Sequence, residues 1–170
     1  MENILFSVYN IRIMHPNNWE IFINTTRSFK FNNGFVKIDS SSIATDVESD
    51  ASMTLRWIQN SNINSIDNYI QELQTQYFKK TKRNKTDSYE ILDIDNINLM
   101  HKAYYIHSRI KSNHSIFRIL RNDENFDSMQ VAVFCNDTNR LIIQTINAKT
   151  NHIKNYYQYY KELLFQLKCH

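Results

Sequence analysis

Apolar and polar residues alternate with a period of two along most of this chain, broken by two stretches with helical spacing. Tyr9, Ile11 and Ile13 alternate with polar neighbours and predict a first strand, which stops at His15-Pro16 because proline cannot donate to a ladder. Glu20 to Ile23 reads as a second short strand after Trp19. Ser28 to Phe31 and Phe35 to Ile38 flank Asn33-Gly34, the dipeptide a type I′ hairpin prefers because both central residues need positive φ. Met53, Leu55 and Trp57 alternate and predict a further strand after a polar, acidic stretch from Asp39 to Asp50.

The period then changes. Ile66, Tyr69, Ile70, Leu73, Tyr77 and Phe78 fall on one helical stripe, with Ser65 as its cap and Asp67 in its first turn. Lys79, Lys80, Lys82 and Arg83 crowd the end of that helix, where positive charge complements the helix dipole. Strand patterns resume over Tyr89 to Ile94, Lys102 to Lys111, Ser115 to Arg121, Met129 to Cys135 and Arg140 to Ile146, the last two joined by the turn Asn136-Asp137-Thr138-Asn139. Several of these strands are apolar on both alternating sets, which requires cover on both faces. A second helix is expected from about Asn151 to Leu167, with Ile153, Tyr156, Tyr157, Tyr160, Leu163, Leu164 and Leu167 on its apolar side. The expected fold is α+β: an α/β/α sandwich on a largely antiparallel sheet, one helix inserted midway and one at the C-terminal end. No repeat or linker interrupts it, so residues 1–170 form a single domain in this reading.

Composition changes how the turns are read. The chain has 22 Asn and 22 Ile but 1 Gly and 1 Pro, the bias of an AT-rich genome. Asn tolerates the left-handed backbone, so it is expected where other proteins place Gly. A net charge of +3 gives weak steering and compels neither a nucleic-acid nor a membrane partner. Met1 to Phe6 lack the basic start and long apolar run of a secretory signal, and no stretch approaches the roughly 20 apolar residues of a bilayer span. A cytoplasmic address is expected.

Pro16-Asn17-Asn18-Trp19 after a short strand, a run of strands, the helix opened by Ser65-Ile66, further strands and a closing helix together resemble the superfamily of the photosystem II protein PsbP and the Mog-type Ran-binding protein. Family members commonly carry Gly before the Trp; Asn18 stands there in this chain. The resemblance implies a non-enzymatic protein-interaction or assembly module. It brings no residues for Ran binding or manganese-cluster work.

No catalytic motif is present, and a single Gly excludes a Gly-rich phosphate loop. The six histidines, His15, His101, His107, His114, His152 and His170, stand at none of the recognised metal-ligand spacings, so no metal or other cofactor is expected. Cys135 alternates with Val131 and Val133 as a small buried hydrophobe. Tyr105, His107 and Arg109 share one face of a strand, marking either the opening of a binding pocket or a strand end in solvent. The acidic run Asp46 to Asp50 lacks the order of oxygens in a calcium loop. Lys79 to Lys85 has no interleaved aromatics for single strands of nucleic acid. The expected function is therefore a protein-binding module whose partner the sequence does not name. The alternative is a ligand-binding or enzymatic domain with a pocket near Tyr105, His107 and Arg109.

Overall fold

The computed structural model describes residues 2–23, 29–40, 50–59, 62–83, 87–112 and 125–169. The candidate strand Ser115 to Arg121 and most of the acidic run from Asp46 lie outside them. The described elements are β1 (Asn3–Val8), β2 (Ile11–Pro16), β3 (Glu20–Ile23), β4 (Asn33–Asp39), β5 (Ala51–Ile58), α1 (Ile66–Arg83), β6 (Asp87–Asn98), β7 (Lys102–Ser112), β8 (Asn125–Cys135), β9 (Arg140–Lys149), α2 (Thr150–Leu164) and β10 (Lys168–Cys169). Seven strands form one antiparallel sheet in the order β3-β4-β5-β9-β8-β7-β6, and β1-β2-β10 form a second, smaller sheet.

Strand parity sorts the large sheet into two apolar faces. Val36, Ile38, Met53, Leu55, Val131, Val133, Ile142 and Ile146 point to one face, where Ile153, Tyr160, Leu163 and Leu164 of α2 and Ile11 and Ile13 of β2 cover them. Ile106, Ala132, Phe134 and Leu141 point to the other and meet Ile66 and Ile70 of α1. This is the two-sided cover that the doubly apolar strands call for. Ser65 Oγ accepts from the amide of Asn68 at 3.2 Å, a cap that stabilises α1 by about 1 kcal/mol. Burial on α1 weakens toward its end: Phe78, expected on the stripe, is 62% exposed.

Two turns differ from the expected reading. The left-handed pair is Tyr9-Asn10, at φ 47° and 65°, between β1 and β2. Asn33-Gly34, by contrast, opens β4 and makes no turn. Gly34 is needed for a different reason: a Cβ there would lie 2.0 Å from the indole of the fully buried Trp57. Tyr9 is an uncommon residue for positive φ, a conformation that costs roughly 1 kcal/mol or more. Its surroundings hold it there. Its ring packs on Phe29, Phe31 and Trp57 at 5.8, 6.1 and 6.0 Å. Its carbonyl accepts from Arg140 Nη2 at 2.9 Å. The turn of β8 and β9 lies where the sequence places it, with Asn139 at φ 50°. Trp19 donates its amide to the Pro16 carbonyl at 3.1 Å, so the Pro16 to Trp19 motif is a tight turn that buries the indole against Tyr160.

Candidate functional site

Tyr105, His107 and Arg109 lie in register on β7 and face the α2 side of the sheet. Tyr105 is fully buried and donates to the Tyr157 hydroxyl at 3.0 Å. Burial and that hydroxyl raise its pKa far above that of ordinary tyrosine. His107 and Arg109 converge on a residue the sequence reading did not single out, Asp127 of β8, which is 1% exposed. Arg109 Nε and Nη2 donate to its two oxygens at 2.7 and 2.9 Å. His107 Nε2 lies 3.0 Å from Oδ2; a carboxylate only accepts, so this nitrogen carries the proton. Thr150 Oγ1, in the first residue of α2, donates to Oδ1 at 2.6 Å.

Burial alone would raise the Asp127 pKa, but the bonds from Arg109, Thr150 and His107 outweigh it and hold the carboxyl below its ordinary value. Four donors occupy the roughly four acceptor positions of a carboxylate. Asp127 thus has no lone pair left to take a substrate proton, and the Arg109 charge is already matched. Chemically this is a tie between β7, β8 and the start of α2. The signal for it was parity: Asp127 is in phase with Met129, Val131 and Val133, and a carboxylate in a buried register needs partners.

Two other histidines are held by internal groups. His15 is buried with Nδ1 2.9 Å from the Pro16 carbonyl, and burial lowers its pKa. His152 Nε2 lies 2.8 Å from the Tyr160 hydroxyl. At one end of the sheet, however, the fold gathers residues that linear spacing keeps apart. His101 sits in the turn from β6 to β7, Cys135 ends β8 and Cys169 lies in β10. One potential ligand atom from each is within 4.8 Å of the other two. Both thiols are buried, and burial pushes that of Cys169 up to about 12, so Cys169 is not placed as an activated nucleophile. Arg140, cross-strand partner of Cys135, is fully buried beside them.

No protein-family model matches the chain, and no curated protein matches it. Solved structures do. The cyanobacterial PsbP (CyanoP) of Synechocystis sp. PCC 6803 aligns over 99% of this chain and 92% of its own, with TM-score 0.64 and 10% identity. This chain has a PsbP-like fold. A protein of unknown function from Pseudomonas aeruginosa, PA94, aligns over 98% of this chain and 96% of its own, with TM-score 0.57 and 11% identity. At such identities the likeness is one of fold. It supports the PsbP side of the resemblance read from the sequence and adds nothing to the Ran-binding side. In this fold, no helix among the described residues is long and apolar enough to cross a membrane.

Proposed function

We propose that this chain is a non-enzymatic interaction module that takes an extended segment of a protein partner along the edge of β1 that no described strand pairs with. The observation that carries this reading is the contrast between its strand edges. β1 runs Asn-Ile-Leu-Phe-Ser-Val without a charge, a proline or a bulge, and its register on β2 is unbroken. Among the described residues it pairs on one side alone, and Ile4 and Leu5 are 43% and 60% exposed. Such an edge offers main-chain groups for strand addition and apolar side chains for specificity. The edges of the large sheet are guarded. β6 carries a bulge between Ile91 and Asp93 and the acids Glu90, Asp93 and Asp95, and β3 is only four residues long. The saturated Asp127 cluster weighs against a pocket at Tyr105, His107 and Arg109 and so favours the same reading.

The test is affinity capture from the source organism with the wild-type chain and with Ile4→Lys/Leu5→Lys, which places charge on the edge without touching the core. A partner recovered by the wild type and lost by the variant, at unchanged thermal stability, is the expected result. Equal recovery by both chains, or no reproducible partner for either, contradicts it.

A further inference from the structure

We infer that His101, Cys135, Cys169 and Asp137 form a binding site for a divalent, thiophilic cation of the zinc class at the end of the sheet where β10 closes the fold. Three of the four potential ligand atoms already lie within 4.8 Å of one another. The fourth comes from the turn of β8 and β9, where Asp137 Oδ2 is 3.8 Å from His101 Nε2. Tetrahedral zinc, with Zn–S of about 2.3 Å and Zn–N of about 2.0 Å, places ligand atoms roughly 3.3–3.8 Å apart. The histidine and aspartate are therefore close to that spacing, and the separations among His101, Cys135 and Cys169, at most 4.8 Å, would close by about 1 Å on binding, with the exposed Asp137 side chain swinging in from its turn. Two thiols with an imidazole and a carboxylate select a borderline-soft, four-coordinate ion over calcium or magnesium, which take oxygen ligands.

Electrostatics independently favour an anionic assembly here. Arg140 is fully buried, yet its hydrogen bonds go to neutral oxygens: Thr138 Oγ1 at 3.0 Å and the carbonyls of Phe31 and Tyr9 at 3.0 and 2.9 Å. Among the described residues this buried charge meets only neutral groups, these oxygens and the Phe31 ring 4.2 Å from the guanidinium carbon, so part of its desolvation stays uncompensated. Two thiolates and one carboxylate around a dication leave a single negative charge beside this guanidinium. A cavity of about 170 Å³ bordered by His101, Lys102, Asp67 and Asn136 lies on the imidazole side of the cluster. The ligands come from the turn of β6 and β7, the end of β8, the turn of β8 and β9, and β10. The site is thus a structural clamp on the last strand, with all four positions filled by protein.

The experiment uses the full chain, kept reduced and stripped with a chelator, titrated with Co2+ and then with Zn2+. The expected result is one Co2+ per chain, with a thiolate-to-metal charge-transfer band and a tetrahedral ligand-field spectrum, both displaced by Zn2+. Cys169→Ser should lose the share of the charge-transfer band that its own thiolate supplies, or bind no Co2+. His101→Gln and Asp137→Asn, both in turns between strands, should weaken Zn2+ binding by about tenfold or more at unchanged thermal stability of the metal-free chain. Three results would each overturn the site: no Co2+ bound with a thiolate band, undiminished Zn2+ affinity in both turn variants, or thiols equally reactive toward a disulfide reagent with and without metal. Isolation of the chain with a Cys135–Cys169 disulfide that gives no metal complex after reduction would overturn it too.

Discussion

The single glycine shows how a biased composition sharpens the meaning of the residues that escape the bias. Asn10 and Asn139 take the left-handed positions that Gly fills elsewhere, as their abundance leads one to expect. Gly34 survives because no side chain fits under the Trp57 indole. That ring is fully buried and fixed by a 2.7 Å hydrogen bond from Nε1 to the Lys30 carbonyl, so it has nowhere to retreat. Gly34→Ala is accordingly expected to cost about 3 kcal/mol through overpacking. Urea unfolding would check this, and unchanged stability would show that the indole yields. The dipeptide Asn33-Gly34 read as a turn because turn chemistry and close approach both ask for Gly, and sequence cannot separate the two demands. Asp127 and Arg140 were more legible than they first look, since each sits in the parity of a buried face. His101 and Cys169 gave no such signal, and the parity of Cys135 with Val131 and Val133 spoke only for burial, because the meeting of the three depends on separate strand ends.

At the scale of elements, alternation found the strands wherever one face differs from the other, and helical spacing found α1 and α2. β1 was missed because Ile4, Leu5 and Phe6 form a continuous apolar run without a period of two. β10 has two residues and is a strand only because β2 pairs with it, which no local pattern can announce. The start of α2 depends on Asp127. Its carboxylate accepts from Thr150 and faces the positive end of the helix dipole. Asp127→Asn leaves Arg109 without its charge partner and should cost about 2–4 kcal/mol. The pH dependence has a definite sign. A carboxyl whose folded pKa is depressed contributes stability that is complete above its unfolded value, about 3.9, and is lost as pH falls through the folded value. Wild-type stability should therefore drop below about pH 4, and Asp127→Asn should lack that part of the drop. Thermal unfolding of both chains across this range checks it; parallel curves would refute the role given to Asp127.

For the whole molecule, two apolar cores cover opposite faces of one sheet, and the proposed function falls to the strand edges. The shared fold with CyanoP and PA94 fixes the architecture and is silent on the partner. The proposed function rests on β1, the edge that no described strand covers on its outer side. A photo-crosslinking residue placed at Leu5 of β1, and separately at Leu92 on the bulged edge of β6, compares the two edges directly, since both side chains are exposed. Irradiation in the source organism should yield one reproducible protein adduct from position 5 and none from position 92. No adduct at position 5, or the same adducts from both positions, would contradict the claim that β1 is where a partner strand is taken up.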